Sequence, residues 1–126
     1  FFGCIAVINC ERGGAREGGA LVKGASGAFE NIPYILTTNI SQTLGYLKKF
    51  DYAVIGLDSK ADLSINSNFF SSFENNIVLV FGAEGKGLRR LTLENCDYQA
   101  KISGYSSFSS LNVSTAVGIT LNSLLS

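Results

Sequence analysis

The sequence predicts an α/β fold with a mostly parallel sheet flanked by helices. Short apolar runs alternate along the chain with helix-like stretches, which is the typical pattern of that class. The runs are apolar throughout, as in strands of a parallel sheet that is covered on both faces. The 126 residues, with a mass of 13.4 kDa, are enough for a single domain.

The elements are predicted in chain order from composition and spacing. A strand is expected at residues 4–8, followed by a glycine-rich surface loop at 9–20 and a second strand at 33–36. Ser41 is expected to cap a helix that runs to about residue 50, with Leu44 and Leu47 on its apolar face. The remaining predicted elements are strands at 52–57, 77–81 and 98–102 and helices at about 88–95 and 114–125.

Charge balance and missing residue types exclude several classes of protein. Ten basic residues balance ten acidic ones and the isoelectric point is about 6.4, which excludes nucleic-acid binding by bulk charge but not by a local basic patch. The absence of histidine excludes Ser-His-Asp triads, histidine bases and histidine-ligated metals. Cys4, Cys10 and Cys96 lack Cys-x-x-Cys spacing, which favours a reducing, cytoplasmic compartment without disulfides or a zinc site. No apolar run approaches the ~20 residues of a membrane span.

A glycine-rich segment follows the predicted strand at 77–81. Residues 81–90 read Phe-Gly-Ala-Glu-Gly-Lys-Gly-Leu-Arg-Arg, so three glycines precede a basic helix start. Glycine at the carboxyl end of a parallel strand lets a ligand approach the backbone, but it is equally typical of a tight turn. The segment fails the Walker A pattern, because Gly87 follows Lys86, and the dinucleotide fingerprint, because Arg90 stands where that motif has glycine.

A serine-rich segment precedes the last predicted helix. Residues 102–114 read Ile-Ser-Gly-Tyr-Ser-Ser-Phe-Ser-Ser-Leu-Asn-Val-Ser and include six serines, a composition typical of a polar loop. However, Phe108, Leu111 and Val113 interleave with the polar residues as in an ordered segment, and the following helix start offers backbone donors to a ligand. Asn112 carries the segment's one side-chain amide, which can donate and accept hydrogen bonds at once.

Together these segments resemble the last two signature motifs of the SpoU-type (TrmH-like) RNA ribose methyltransferases of the SPOUT superfamily. The resemblance is carried by Val-Phe-Gly-Ala-Glu-Gly-Lys-Gly-Leu-Arg-Arg-Leu at 80–91, Asn-Cys-Asp at 95–97 and Ser-Ser-Leu-Asn-Val-Ser-Thr-Ala at 109–116. Residues 22–28 and 55–58 also stand where the family has similar segments, so the resemblance covers nearly the whole chain. Within the family, the sequence looks most similar to enzymes that methylate a guanosine ribose in large-subunit ribosomal RNA.

The resemblance implies a methyl transfer from S-adenosylmethionine to a ribose 2'-hydroxyl of RNA, with ribosomal RNA favoured as the substrate and transfer RNA as the alternative. It also implies that residues 1–126 form one methyltransferase catalytic domain with a trefoil knot near the carboxyl end. The family works as homodimers in which each site borders the partner subunit. Neither a metal nor a membrane is expected to take part.

The resemblance also implies roles for particular residues. Cofactor contacts, made largely through backbone groups, fall on Leu57, Gly82, Gly85, Ile102 and Leu111. Polar positions that organise the site and the incoming ribose, and so count as catalytic, fall on Glu84, Ser110 and Asn112. Contacts with RNA phosphates fall on Lys86, Arg89 and Arg90. Structural alternatives are that Glu84 caps the next helix, that Asn112 holds its loop through backbone hydrogen bonds, and that the basic residues form a solvated helix face.

Two features depart from the family pattern. The family assigns the proton of the 2'-hydroxyl to an arginine in an earlier Asn-x-Gly-x-x-x-Arg motif, which does not occur in the 126 residues. Because the chain also starts with Phe-Phe-Gly, we expect an amino-terminally truncated domain that binds cofactor weakly and turns over little or not at all. Many relatives have Ile-Pro-Met-x-Gly where residues 102–106 read Ile-Ser-Gly-Tyr-Ser, and the lost proline predicts a loop at 103–110 that is partly disordered without ligand.

Two other classes of function stay open on the sequence. One is a non-catalytic RNA-binding module that retains the fold, which an absent Asn-x-Gly-x-x-x-Arg motif upstream of Phe1 would favour. The other is a small-molecule nucleotide-binding domain, which rests only on the glycines after Phe81 and which competition of labelled cofactor by ATP would reveal.

Overall fold

The computed structural model describes residues 4–10, 32–82, 87–104 and 111–126. The chain falls into two compact units, Phe1–Thr43 and Leu44–Ser126. The predicted α/β class is confirmed, since each strand pairing of the described residues is parallel and helices follow the strands along the chain. Of the loop predicted at 9–20, residues 11–20 lie outside the described residues.

The first unit contains a parallel strand pair. Strand β1 (Val7–Cys10) lies beside β2 (Tyr34–Thr37), with Val7 opposite Tyr34 and Cys10 opposite Thr37. The prediction of a strand at 4–8 and a loop from residue 9 is therefore wrong at both ends. The partner strand decides the bounds, because Val7 donates to the Pro33 carbonyl at 3.0 Å and the Asn9 amide donates to the Tyr34 hydroxyl at 3.0 Å.

The first helix and its cap begin two residues earlier than predicted. Helix α1 (Ile40–Lys48) has Asn39 at its start, where Asn39 Oδ1 accepts from the Gln42 N–H at 3.0 Å. Ser41 therefore lies inside the first turn and is not the cap. Asparagine fills the cap position as well as serine does, and the chain positions it one turn before the buried Leu44.

The second unit contains a four-stranded parallel sheet with the strand order β4–β6–β3–β5. Its strands are β3 (Tyr52–Leu57), β4 (Leu63–Ser64), β5 (Asn76–Phe81) and β6 (Tyr98–Lys101), and the helices that follow α1 are α2 (Ser67–Ser71), α3 (Arg90–Glu94) and α4 (Val113–Leu125). The predicted strands and helices of this region are confirmed within a few residues. Strand β4 and helix α2 were not predicted, because they are too short to show a hydrophobic period.

Strand β3 forms the centre of this sheet. Val54 and Ile55 are fully buried, and Ile55 packs with Phe70 of α2 and Ala100 of β6. Leu124 of α4 packs against the same cluster. Strand β5 has the longer apolar run but is less buried than β3, because β5 lies at the outer position of the described sheet.

A pair of hydrogen bonds ties the turn before β6 to the middle of β3. The Asp97 N–H donates to the Val54 carbonyl at 2.8 Å, and Asp97 Oδ2 accepts from the Val54 N–H at 2.8 Å. Since Val54 is fully buried, an unpaired N–H at this position would cost free energy. The Asp97 carboxylate therefore stabilises the sheet.

Cys96 packs against β3 from the turn before β6. Its thiol donates to the Thr92 carbonyl at 3.3 Å, and a Cβ added at Gly56 would lie 2.7 Å from its sulfur. The pKa of the Cys96 thiol is raised from 9.0 to about 11, mainly by burial and also by the nearby Asp97 carboxylate, while Lys48 opposes the shift. The neutral thiol is thus a packing group rather than a nucleophile.

Replacing Asp97 with alanine should lower the free energy of unfolding by about 1 to 3 kcal/mol, because the Val54 N–H loses its acceptor. Asp97→Asn should cost less, since its amide oxygen can still accept. Urea denaturation measures both values, with the exposed Asp62→Ala as the matched control. Equal losses for Asp97→Ala and Asp62→Ala would contradict the role given to the carboxylate.

Iodoacetamide should alkylate Cys96 at least about tenfold more slowly in the folded chain than in urea at the same mildly alkaline pH, because the raised pKa leaves less thiolate. The raised pKa also favours the neutral thiol in the fold, so its contribution to stability is present below pH 9.0 and is lost as the pH rises through about 11. The variant C4S/C10S leaves Cys96 as the one reactive thiol. Equal rates in the folded and unfolded chain would show that the thiol is not shielded.

Candidate functional site

Three of the sequence-predicted site residues meet at the carboxyl edge of the second sheet. Leu57, at the end of β3, lies opposite both Phe81 of β5 and Ala100 of β6. Gly82 therefore follows on one side of Leu57, and Ile102 follows on the other side. Because adjacent strands are about 4.8 Å apart, the three chain segments leave the sheet side by side. The carboxyl edge of an open parallel sheet is where such folds bind ligands.

The side chains at this edge suit a ligand with apolar faces. Leu57 and Ile102 are half-buried, and Leu57 packs against the core cluster of Ile55, Phe70 and Ala100. Backbone groups beyond the strand ends can pair with a hydrogen-bonding edge, while the aliphatic side chains cover a flat apolar ring. The residues at this edge therefore fit an adenine nucleoside.

Gly82 occupies a position that has no room for a side chain. A Cβ at Gly82 would collide with the carbonyl group of Gly87 and would lie 2.7 Å from the Leu88 nitrogen. Gly87 itself has a φ of 67°, in the left-handed region that favours glycine. The two ends of the glycine-rich segment thus touch each other. The sequence predicts that a ligand approaches the backbone closely at Gly82. In the structure, the protein's own backbone fills that space.

The intervening residues lie outside the described part of the chain. They include Glu84, Gly85 and Lys86, and the same applies to Ser110 in the serine-rich segment. The roles of these four residues stay predictions.

Asn112 forms the amino-terminal cap of α4. Its Oδ1 accepts from the Ser114 N–H at 2.9 Å, and its carbonyl accepts from the Ala116 N–H at 2.9 Å. The alternative of a side chain bonded to the local backbone is therefore confirmed. The cap uses Oδ1 and does not involve the amide nitrogen Nδ2. Leu111, directly before it, is 46% exposed. The grouping of Leu111 and Asn112 with the strand edge stays a prediction.

Of the three predicted RNA-binding residues, the structure describes Arg89 and Arg90, which lie on the surface at the start of α3. Arg89 precedes the helix and Arg90 is its first residue, and both are exposed. Arg90 Nη1 lies 3.4 Å from Glu94 Oε1, a surface pair of the kind that contributes little to stability. Both guanidinium groups are accessible to an anion in solution.

Hydrogen bonds around Asp58 were missed by the sequence analysis. The Asp58 N–H donates to the Ala100 carbonyl at 2.9 Å, and Asp58 Oδ1 accepts from the Lys60 N–H at 2.9 Å. An aspartate directly after a buried strand is a typical turn signal, so this role could have been predicted. The hydroxyls of Ser64 and Ser103 are 2.6 Å apart, and no local signal connects two residues that are 39 positions apart in sequence.

An open hollow of about 430 Å³ lies at the opposite, amino edge of the sheet. Tyr52 and Ala53 of β3, Tyr98 of β6 and the neighbouring Asp97 contribute to its lining. The Asp97 carboxylate is already bonded to the Val54 N–H. The hollow therefore lies away from the predicted site residues and is not part of the candidate site.

The described residues contain neither a candidate metal-binding cluster nor a candidate membrane span. Across residues 4–10, 32–82, 87–104 and 111–126, no group of three or more His, Cys, Asp or Glu side chains is arranged to hold a metal ion. Within the same ranges, none of the helices combines the length and the apolar character needed to cross a membrane.

Comparison with known proteins relates this geometry to enzymes. Residues 1–122 match the sequence model of the SpoU rRNA Methylase family. The chain is 43% identical over 99 residues to the 23S rRNA (guanosine-2'-O-)-methyltransferase RlmB of Yersinia pestis, covering 79% of this chain and 39% of the relative. It is 39% identical over 119 residues to RlmB of Escherichia coli, covering 94% of this chain and 48% of the relative. The chain thus spans about two fifths to a half of the length of these curated relatives.

Solved structures of the same family share the fold. The SpoU methyltransferase AviRb of Streptomyces viridochromogenes, crystallised in complex with the cofactor AdoMet, superposes with a TM-score of 0.84 at 19% identity, over 98% of this chain and 48% of that one. The A. aeolicus TrmH/SpoU tRNA modifying enzyme gives a TM-score of 0.80 at 22% identity, over 98% and 61% of the two chains. From the family match along nearly its whole length, the chain belongs to the SpoU rRNA methylase family.

Proposed function

We propose that this chain is the methyltransferase domain of an enzyme that methylates a ribose 2'-hydroxyl of ribosomal RNA with S-adenosylmethionine. The observation that carries the proposal is the convergence of Leu57, Gly82 and Ile102 at one sheet edge, through the pairing of Leu57 with both Phe81 and Ala100. Sequence identity of about two fifths to rRNA guanosine-2'-O-methyltransferases favours a guanosine in large-subunit rRNA as the target nucleoside.

The proposed cofactor contacts are those that suit a nucleoside. Leu57, Gly82, Gly85, Ile102 and Leu111 would hold it through backbone groups and aliphatic side chains, as the half-buried Leu57 and Ile102 support. When bound, S-adenosylmethionine supplies a methyl group on a positively charged sulfur. Displacement at that carbon is in line, so the residues that orient cofactor and ribose provide much of the acceleration.

The polar residues would orient the ribose and the RNA. Glu84, Ser110 and Asn112 are the proposed catalytic positions, and Asn112 would use its amide nitrogen there, since the helix cap uses Oδ1. Lys86, Arg89 and Arg90 would bind RNA phosphates, in keeping with the exposure of Arg89 and Arg90. No histidine within residues 1–126 can accept the 2'-hydroxyl proton, because this stretch contains none.

We also propose the assembly that the resemblance implies. Residues 1–126 would form one catalytic domain with a trefoil knot near the carboxyl end, built from the segments that follow β5 and β6. The enzyme would be a homodimer whose sites border the partner subunit, and it would act in the cytoplasm. Family membership supports the knot and the dimer, and three free cysteines support a reducing compartment.

Calorimetry with S-adenosylhomocysteine, the demethylated product, should detect binding to this chain. Gly82→Ala should weaken the binding about tenfold or more, because the added methyl group must displace the Gly87–Leu88 backbone. Gly118→Ala is the matched control, since a Cβ at that position has open space. The cofactor assignment is wrong if the parent chain gives no heat at millimolar ligand, and the Gly82 assignment is wrong if a folded Gly82→Ala chain binds as the parent does.

Asn112→Ser should separate the cap from the chemistry, because serine caps a helix well but has no amide donor. In the protein expressed from the whole gene, we expect the rate of tritiated methyl transfer to rRNA to fall about tenfold or more. Asn112→Ala should lose the same activity and about 1 kcal/mol of stability in addition, measured by urea denaturation. An unchanged rate with Asn112→Ser would leave Asn112 with its structural role alone.

A further inference from the structure

We propose that Ser64 and Ser103 are positioning residues for cofactor binding. Their hydroxyl–hydroxyl hydrogen bond of 2.6 Å holds the chain beyond β6 in the geometry in which Ile102 contacts the nucleoside. The inference rests on the proposed function and adds to it two residues that touch neither cofactor nor RNA in the scheme above.

The bond extends a short strand pairing past its end. Strand β4 has two residues, and its register places Leu63 opposite Ala100 and Ser64 opposite Lys101. The Ile65 N–H donates to the Lys101 carbonyl at 2.9 Å. Ser103 lies two residues beyond Lys101, and its hydroxyl donates back to Ser64. The side chains therefore continue the attachment of this segment past the last paired residue of β6.

The bond is placed where the chain leaves the packed part of the unit. Its length is at the short end of the range for O–H···O hydrogen bonds. A Cβ added at Gly104 would meet no atom of the described residues within 4 Å, so the described part of the protein does not enclose the chain directly after Ser103. Ile102 thus lies between the paired strand end and the serine bond, and it is held from both sides.

The turn and strand at residues 58–64 also hold Leu57 in place. The Asp58 N–H donates to the Ala100 carbonyl at 2.9 Å, and the Ala61 N–H donates to the Asp58 carbonyl at 3.0 Å. Residues 58–64 therefore connect Leu57, through a closed turn and β4, to the serine bond at Ser103. A rigid connection between two groups that contact one ligand lowers the entropy cost of binding.

Loss of the serine bond should therefore act on binding rather than on the fold. The core around Ile55, Phe70 and Ala100 does not include either serine, and Ser103 is exposed. Without the bond, Ile102 samples positions in which it no longer matches Leu57. Cofactor affinity falls, whereas the rate at saturating cofactor stays close to that of the parent, since the bound geometry can still form.

The test is a double-mutant cycle on this chain with S64A, S103A and S64A/S103A. Calorimetry with S-adenosylhomocysteine should give a Kd that is roughly twofold to tenfold higher for each single variant, and no further rise for the double variant. Ser103→Thr keeps a hydroxyl and should restore most of the affinity. Ser71→Ala is the matched control, because it removes a hydroxyl bond to the Asn68 carbonyl within a helix, and its Kd should equal that of the parent.

A merely structural role predicts a different result. Thermal unfolding midpoints of S64A and S103A should match that of Ser71→Ala, and a fall in stability without a change in Kd would overturn the inference. Additive effects of the two serines, or Kd values equal to that of the parent, would overturn it as well. In those cases the parent still binds the ligand and the proposed function stands. Absence of binding by the parent would instead refute the proposed function, and this inference with it.

Discussion

The parallel pairing of β3 with strands on both sides is the constraint on which the rest of the second unit depends. Val54 and Ile55 are fully buried in that strand, and the register sets Leu57 opposite Phe81 and Ala100 at once. Apolar burial at this position drives folding. The hydrogen-bond register then fixes which residues of the neighbouring strands lie side by side at the carboxyl edge of the sheet. The position of the carboxyl edge therefore follows directly from the packing of the core. The hydrogen bonds between Asp97 and Val54 hold the start of β6 against β3.

Glycines perform a steric task around this strand. The space beside Gly56 is filled by Cys96 and Leu88, and the space beside Gly82 is filled by the backbone of Gly87 and Leu88. Leu88 thus lies against β3 at Gly56 and against Gly82, the residue that follows β5. Since interiors are close-packed, a methyl group at either glycine would push this contact apart. Gly82 and Gly87, the described ends of the glycine-rich segment, are for this reason part of the packing.

Stability and function have different physical supports in this unit. The core is apolar and continuous, whereas the turn at 58–64 and the start of α4 are held by side-chain hydrogen bonds to backbone or hydroxyl groups. Hydrogen bonds of this kind are individually weak and lie near the surface. They therefore order the proposed binding segments while contributing little to the free energy of unfolding. Asn112 is an example, because its Oδ1 caps α4 by accepting from the Ser114 N–H.

The sequence by itself determined the class of fold, the three longer strands of the second unit and the two segments that carry the family resemblance, because continuous apolar runs and glycine spacing are local signals. It also brought Leu57, Gly82 and Ile102 together by resemblance. The ends of β1, the Asn39 cap, the outer place of β5 and the Ser64–Ser103 bond were decided only in the tertiary structure. Each of these depends on a partner distant in sequence or on competition between neighbouring residues, and neither leaves a periodic trace in composition.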